Sequence, residues 1–189
     1  IGDSPNFYAV NPNGTIKWSS PTANPMYSSS SAISQDGSLI FRGDNAGLFY
    51  AFNASDGTIA WQYDAGVGLI TSAPVLATNG VIYFTRGASS GSSTPDRLVA
   101  LIATDGTPLW SFNFATVAAP SHPVLANDGT LYVMAKDSLS NINTLYAFDG
   151  STIVPATPTP TNTPTRTPTA TATNTPTETP TNTPTPTDT

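Results

Sequence analysis

Cysteine is absent from the sequence and histidine occurs once, which excludes several kinds of site. Without cysteine there is no disulfide, no thiolate nucleophile and no cysteine-ligated zinc or iron–sulfur centre. Charged residues make up only 10% of the 189 residues, with six basic side chains against twelve acidic ones. A net charge of −6 leaves no basic patch that would neutralise phosphates, so we do not expect nucleic acid as a partner.

Long apolar runs are also absent. None approaches the ~18 residues of a membrane-spanning helix, so we expect no membrane insertion. The sequence begins at Ile1, without a methionine or a signal peptide, which suggests a processed or incomplete chain. Low charge combined with abundant Ser, Thr and Asn suits an exported protein. We expect it outside the cell or on the surface of a bacterium, with the periplasm as second choice.

Two sequence elements recur along the chain. The first ends on tryptophan; its copies are residues 7–18, 49–61 and 98–110, and a fourth begins at 145–152. The second lies between these copies, at residues 32–41, 75–84 and 124–133. The three tryptophans are 43 and 49 residues apart, and so are the glycines Gly37, Gly80 and Gly129 of the second element. Two independent markers therefore share one period.

Each period contains short apolar runs separated by tight-turn dipeptides. Two Asp-Gly or Asn-Gly pairs per period supply the positive φ of a tight hairpin, and the runs are rich in Val, Ile, Leu, Phe and Tyr. Two hairpins and one longer link make four antiparallel strands, and no stretch of the folded part keeps helical spacing. We predict an all-β fold. A sandwich is one alternative, but four-stranded units of ~40 to 50 residues are typical of β-propeller blades.

The repeats predict a partial β-propeller over residues 1–154, with blade boundaries near 20, 65 and 116. Strands are labelled A to D from the inside of each blade to the outside. Residues 1–20 supply the end of strand B and strands C and D of a first blade, so about three and a half blades are present. Propellers close with roughly four to eight blades. We therefore expect further blades upstream and two open sheet faces in this piece.

Residues 155–189 are predicted to be a disordered Thr/Pro-rich linker or stalk. Threonine occupies every odd position from 157 to 189, and nine prolines lie between Pro155 and Pro186. Proline removes amide donors and fixes φ, which argues against a strand despite the period of two. Such a segment favours polyproline II with a reach of roughly 100 Å, and its hydroxyls are candidate O-glycosylation acceptors. An inert disordered tail is the other interpretation.

The pattern Ala-x-Asn-x-x-Asp-Gly-x-x-x-Trp at residues 51–61 is echoed at 100–110 and, one residue shorter, at 9–18. It resembles the tryptophan-docking motif of PQQ-like (quinoprotein-type) propeller repeats. The resemblance implies that the small alanine admits an indole and that Val154 occupies a fourth clamp position. It also implies that three tryptophans clamp neighbouring blades: Trp18, Trp61 and Trp110. An indole buries much apolar area and needs one N–H partner, which favours the same adhesive role over ligand stacking.

No set of residues stands out as catalytic or metal-binding. His122, the only histidine, lies between Ser121 and Pro123 at a predicted strand start, where we expect no general base. Asp44-Asn45 has calcium-ligand oxygens, but a turn is the simpler interpretation. If a ligand binds, the B-to-C loops and the ends of the D-to-A links should form its face. The rim residues there are Asp44, Asn45, Arg86, Asp96, His122 and Asp137; solvated rim positions are the alternative.

The resemblance covers two kinds of function. Quinoprotein dehydrogenases hold PQQ and calcium on the propeller axis through carboxylates, whereas the only glutamate here is Glu178, in the predicted spacer. The other branch resembles the periplasmic outer-membrane assembly lipoprotein and exported repeat proteins, which bind partners without chemistry. We predict a non-enzymatic exported propeller, without cofactor, that binds a protein or glycan or displays itself at the cell surface. The alternative is a C-terminal fragment of a PQQ-dependent quinoprotein dehydrogenase.

Overall fold

A computed structural model describes residues 6–22, 24, 29–88, 94–114, 120–136 and 142–149. Within these ranges the regular structure is all β, as predicted, in thirteen strands. The strands are β1 Asn6–Val10, β2 Ile16–Pro21, β3 Ala32–Ile33, β4 Leu39–Gly43, β5 Leu48–Asn53, β6 Ile59–Asp64, β7 Val75–Leu76, β8 Val81–Arg86, β9 Arg97–Ile102, β10 Pro108–Asn113, β11 Val124–Leu125, β12 Leu131–Lys136 and β13 Asn143–Phe148. No helix capable of crossing a membrane occurs in the part of the chain described.

The strands form four antiparallel sheets in chain order, which we call blades 1 to 4. Blade 1 is β1–β2, blade 2 is β3–β4–β5–β6, blade 3 is β7–β8–β9–β10 and blade 4 is β11–β12–β13. Each pair of neighbouring strands is also consecutive in sequence, which is the meander expected of propeller blades. The four-stranded antiparallel blades are confirmed. The predicted fourth strand of blade 4, position Val154 and the predicted stalk lie outside the described residues.

The tight turns form by one local mechanism. In each of the six described Asx-Gly turns, glycine has a positive φ, between +73° and +88°. The Asp or Asn before it accepts a hydrogen bond from the backbone N–H two residues further on, at 2.9 to 3.2 Å. An Asx side chain that bonds its own backbone favours a turn in any tertiary setting. This local chemistry explains why the dipeptides mark the hairpins in the sequence.

The first hairpin of blade 2 departs from the equal spacing of the repeats. Its closing bond runs from Ser34 N–H to the Leu39 carbonyl, whereas the equivalent bond in blade 3 runs from Ala77 N–H to the Val81 carbonyl. The blade 2 turn therefore has one extra residue. As a result Phe41 pairs with Ala51 in the position where blade 3 pairs Tyr83 with Ala100. Aligning these segments on their glycines alone misplaces the strand by one residue.

Each inner blade is buried on both faces. Phe41, Phe49 and Ala51 of blade 2 pack against blade 3 residues that include Phe84 and Val99. The alternate residues of blade 3, among them Tyr83 and Leu98, pack against Leu131 and Val133 of blade 4. Successive side chains in a strand point to opposite faces. Every residue of β8 is therefore buried, and its first four residues, 81–84, form a continuous rather than an alternating apolar run.

The turn aspartates predict acid sensitivity. Hydrogen bonds from the Ser34 hydroxyl and from Ser38 lower the pKa of Asp36 from 3.8 to about 2. Bonds from the residue two positions on likewise lower the pKa values of Asp56, Asp105 and Asp128. A folded-state pKa below the unfolded value adds stability that is complete above the unfolded pKa and is lost as pH falls through the folded one.

We therefore expect the urea midpoint to hold from pH 7 to pH 5 and to fall between about pH 4 and pH 2. Asp36→Asn keeps an acceptor oxygen but removes the titrating charge, so part of this fall should disappear. Equilibrium unfolding of both proteins at several pH values is the measurement. If the urea midpoint fell equally with pH in the two proteins, Asp36 would not contribute to the acid sensitivity.

Candidate functional site

Two of the three tryptophans contact the next blade through their indole N–H groups. Trp18, on β2 of blade 1, donates from Nε1 to the Ala54 carbonyl at 3.1 Å. Trp61, on β6 of blade 2, makes the same bond to the Ala103 carbonyl, also at 3.1 Å. Both acceptors lie in the turn between strands C and D of the following blade. Within its own blade, each Trp pairs with an alanine on strand C, Ala9 or Ala51.

Glycines of the same turns lie directly against the indoles. A Cβ added to Gly57 would lie 2.4 Å from an atom of the Trp18 ring, and one added to Gly106 would lie 2.6 Å from Trp61. No side chain fits there. The sequence predicted a turn at these glycines but not this second role. The available signal was that glycine and alanine recur at fixed positions in the repeat after each Trp.

Trp110 is placed differently. Its ring lies 5.9 Å from Tyr83 of its own blade and 5.9 Å from Phe148 of blade 4. Its buried Nε1 has no hydrogen-bond partner among the residues described. The acceptors of the first two tryptophans follow strand C of the next blade, and in blade 4 the residues from Gly150 onward lie outside the described ranges. The clamp role of the three tryptophans stays a prediction, which the contacts of Trp18 and Trp61 support.

Asp44 lies at the B-to-C loop of blade 2, as predicted, but it is fully buried. Its Oδ1 accepts the backbone N–H groups of Ala46 and Leu48 at 2.9 and 2.8 Å. Its Oδ2 accepts the Tyr50 hydroxyl and the Asn24 amide, both at 3.1 Å. Four donors converge on one carboxylate, which holds the loop closed against its neighbours. Asp44 is therefore a loop anchor and not a solvated rim residue.

The structure brings Arg86 and Asp96 together at the corresponding end of blade 3, and both are buried. Arg86 donates to the Val67 and Pro95 carbonyls at 3.0 Å each. Burial is the main cause that lowers the pKa of Arg86, and the charge of Arg97 adds to it, while Asp96 opposes the shift. Asp96 accepts the backbone N–H of Ala88. This pair ties the link after blade 2 to the long B-to-C loop of blade 3.

The remaining predicted rim residues are less enclosed. Asn45 is half-buried, and its Oδ1 has no partner among the described residues. His122 is exposed, and its Nδ1 accepts the Ala73 backbone N–H at 2.6 Å, a bond between the starts of blades 4 and 3. Asp137 lies outside the described residues. The alternative of solvated rim positions is therefore wrong for Asp44, Arg86 and Asp96, which are buried. A ligand-face role for the rim residues stays a prediction.

Two similar cavities lie between blades at the opposite end, beside the A-to-B turns. One, of about 260 Å³, lies between blades 2 and 3 and includes Ser34, Asp36 and Thr78 in its lining. The other, of about 250 Å³, lies between blades 3 and 4 beside Asn79 and Asn127. The sequence did not indicate them, because each is formed by the gap between two turns that are far apart in the chain.

The described side chains do not fit a calcium–quinone site. In the part of the chain that the structure describes, no three His, Cys, Asp or Glu side chains form a group that could hold a metal ion. Seven of the eight described aspartates accept backbone N–H bonds. Their oxygens fix turns and loops instead of converging on one point.

Comparison with known proteins agrees with the propeller fold. Residues 6–93 match the family model described as outer membrane protein assembly factor BamB. That match covers somewhat less than half of the chain. A similar solved structure is quinohemoprotein alcohol dehydrogenase ADHIIG from Pseudomonas putida HK5, with a TM-score of 0.60 and 15% identity over 72% of this chain and 26% of that one. Another is the quinohemoprotein alcohol dehydrogenase from Comamonas testosteroni, with a TM-score of 0.58 and 14% identity over 77% of this chain and 31% of that one.

BamB from Moraxella catarrhalis aligns with a TM-score of 0.42 and 17% identity over 79% of this chain and 57% of that one. At these identities the two dehydrogenases show that the fold is shared. The chain spans only about a quarter to a third of their length. No curated protein sequence matches it.

The contact between Trp61 and Gly106 can be tested against a matched glycine. Gly106 and Gly129 both have positive φ, at +74° and +88°, but nothing lies within 4 Å of a Cβ on Gly129. Alanine at either position costs about 1–2 kcal/mol in backbone strain. Gly106→Ala should cost about 1–3 kcal/mol more, because the indole must move. Equal losses in urea unfolding would show that the indole does not rest on Gly106.

The anchor role of Asp44 has a matched control in Asp64, an exposed aspartate that accepts one hydrogen bond, from the Gly66 N–H, among the described residues. Asp44→Ala leaves buried donors unpaired and should cost about 3 kcal/mol of unfolding free energy. Asp64→Ala should cost less than about 1 kcal/mol. A small loss at Asp44, combined with lost ligand binding, would instead mark it as a binding residue.

Proposed function

We propose that this chain is a non-enzymatic propeller, exported and used for binding or display at the cell surface. One observation carries the proposal: seven of the eight described aspartates accept hydrogen bonds from the fold's own backbone. A carboxylate that accepts N–H groups of its own turn is not oriented toward a substrate or metal. The central strands β5, β8 and β9 contribute no more, since their side chains are almost all buried between blades. Loops, turns and the clefts between blades are left as contact surfaces.

The partner class we favour is a protein or a glycan. The two inter-blade cavities combine apolar lining from Leu76 with hydroxyl and amide groups from turns. Such mixed, shallow clefts suit a peptide loop or a sugar better than a deeply enclosed cofactor. Residues 155–189 would act as a stalk, because an extended Thr/Pro segment separates a domain from its attachment point. The periplasm remains our second choice of location.

The second candidate is a C-terminal fragment of a PQQ-dependent dehydrogenase. It is favoured by the similarity to two quinohemoprotein alcohol dehydrogenases, of which this chain spans 26% and 31%. Residues that hold the quinone would then lie in other parts of a longer protein. The described residues do not supply them.

These candidates differ in their response to PQQ. We expect no change in the thermal midpoint of the chain on adding PQQ and calcium, and no dye reduction with primary alcohols. The full-length protein that contains the chain should behave in the same way, and a known quinoprotein dehydrogenase is the positive control. A saturable stabilisation by PQQ together with alcohol-dependent turnover would contradict the proposal.

The binding role predicts saturable capture on a peptide or glycan array. Leu76→Arg, which places a charge in the clefts beside the A-to-B turns, should reduce that capture without unfolding the chain. Val67→Arg, at a 69% exposed link residue, is the control and should leave it unchanged. The stalk role predicts that antibody against residues 1–154 labels intact cells. Absence of both capture and labelling would contradict the proposal.

A further inference from the structure

The two cavities beside the A-to-B turns lie side by side, because the same residues line both. Leu76, Ala77 and Thr78 of blade 3 line the cavity toward blade 2 and the cavity toward blade 4. Further apolar side chains come from Leu39 in the first and Leu125 in the second. We call these two cavities the paired clefts. At about 260 and 250 Å³ each is smaller than the roughly 300–1,000 Å³ of small-molecule pockets, which suits a single side chain of a larger ligand.

Charge is divided unevenly between the two ends of the blades. In an antiparallel meander the A-to-B and C-to-D turns lie at one end, which we call the turn end, and the B-to-C loops lie at the other. Five of the eight described aspartates lie at the turn end and are exposed: Asp36, Asp56, Asp105, Asp128 and Asp149. Four of the five described Lys and Arg side chains lie at the opposite end: Arg42, Arg86, Arg97 and Lys136.

The turn-end aspartates lie at the paired clefts. Asp36 lines the first cleft, and Asp105 and Asp128 are each adjacent in sequence to a lining residue. None of the lining residues, all of which the structure describes, is Lys, Arg or His. Lys17, the fifth basic side chain, donates to the Ala54 carbonyl at 3.0 Å, between blades 1 and 2. The mouths of the clefts are therefore acidic and their linings largely apolar.

Hydrogen bonds within the turns hold these carboxylates in their charged form. Bonds from Thr130 lower the pKa of Asp128, and the nearby charge of Asp149 opposes that shift. Two carboxylates that repel each other are relieved by a cation placed beside them. An aspartate that bonds its own turn still attracts a cation, because Coulomb attraction does not need an oxygen aimed at the ligand.

A cationic peptide fits this combination better than a glycan does. Sugar rings pack their C–H faces against exposed aromatic rings, but Tyr83, the one aromatic side chain that lines the clefts, is only 2% exposed. Acidic sugars and phosphates would be repelled by the aspartates. An extended peptide supplies apolar side chains for the clefts and basic side chains for their mouths in one segment.

We propose that the paired clefts bind a cationic segment of a partner protein. Its apolar side chains are seated in the clefts, and its Lys or Arg side chains lie beside the turn-end aspartates. The aspartates select the partner and speed its approach, while the clefts fix its position. The inference rests on the proposed binding function and names the class of partner.

Fluorescence anisotropy of a labelled peptide with residues 1–189 tests the proposal. The probe is Gly-Lys-Leu-Lys-Gly-Lys-Leu-Lys-Gly. We expect saturable binding with a dissociation constant below about 1 mM at low salt. Raising the salt to about 0.3 M should weaken it at least about threefold, because screening shortens the reach of the carboxylates. The same peptide with glutamate for lysine should not bind, and the peptide with serine for leucine should bind at least about threefold more weakly.

Matched variants test where the peptide binds. Asp36→Asn and Asp128→Asn, made singly, keep an acceptor oxygen in the turn but remove a charge at a cleft, so each should weaken binding about twofold or more. Thr78→Arg places a cation at an exposed residue shared by both clefts and should weaken it about tenfold. Asp64→Asn removes an exposed carboxylate at the opposite end and should leave the affinity unchanged. Each variant is first shown to keep the wild-type far-ultraviolet spectrum, and the two asparagine variants suffice if Thr78→Arg unfolds.

Failure of the cationic peptide to bind would overturn this inference. If a neutral glycan or the glutamate peptide bound instead, the proposed binding function would stand without it, and if nothing bound on peptide and glycan arrays, both would fail. An equal loss of affinity in Asp36→Asn and Asp64→Asn would show attraction by net charge alone. That result, or unchanged affinity in both cleft variants, would also overturn the proposal.

Discussion

An indole resting on the backbone of the next sheet is the contact on which the rest of this structure depends. Trp18 and Trp61 place their rings where Gly57 and Gly106 leave no side chain, and each satisfies its N–H on a turn carbonyl. The indole ring buries apolar area between the blades, and the hydrogen bond of its N–H fixes the orientation of the ring. In both cases the donor blade and the acceptor blade are neighbours, so the contact joins blade 1 to blade 2 and blade 2 to blade 3.

Local chemistry explains how much of the fold could be read from the sequence. The Asx-Gly turns, such as Asp56-Gly57, bond their own backbone, so spacing alone located the hairpins and the inner blades. The extra residue between Ser34 and Leu39 could not be read in this way, since the glycine spacing hides it. The burial of Asp44 could not be read from the sequence either. It depends on the link between blades 2 and 3, in which the Ile70 N–H donates to the Asp44 carbonyl. Contacts between distant segments decide burial at blade rims.

The packing that makes the propeller also limits what it can do. Side chains of β8 and β9 are used on both faces of blade 3, so they have no freedom to form a site. The rim candidates Asp44, Arg86 and Asp96 are committed to loop closure. Chemistry would have to come from residues beyond these, whereas binding needs only the turns and clefts that remain. This is the physical basis for preferring recognition to catalysis.

The most direct measurement of the central contact is a nuclear Overhauser spectrum of the isotopically labelled chain. The account predicts cross-peaks from the Trp18 ring to the Gly57 Hα protons and from the Trp61 ring to those of Gly106, with both glycines shifted by ring currents. It also predicts an indole Nε1 proton protected from exchange at Trp61. Indole cross-peaks confined to each tryptophan's own blade, or rapid exchange with solvent, would contradict the account.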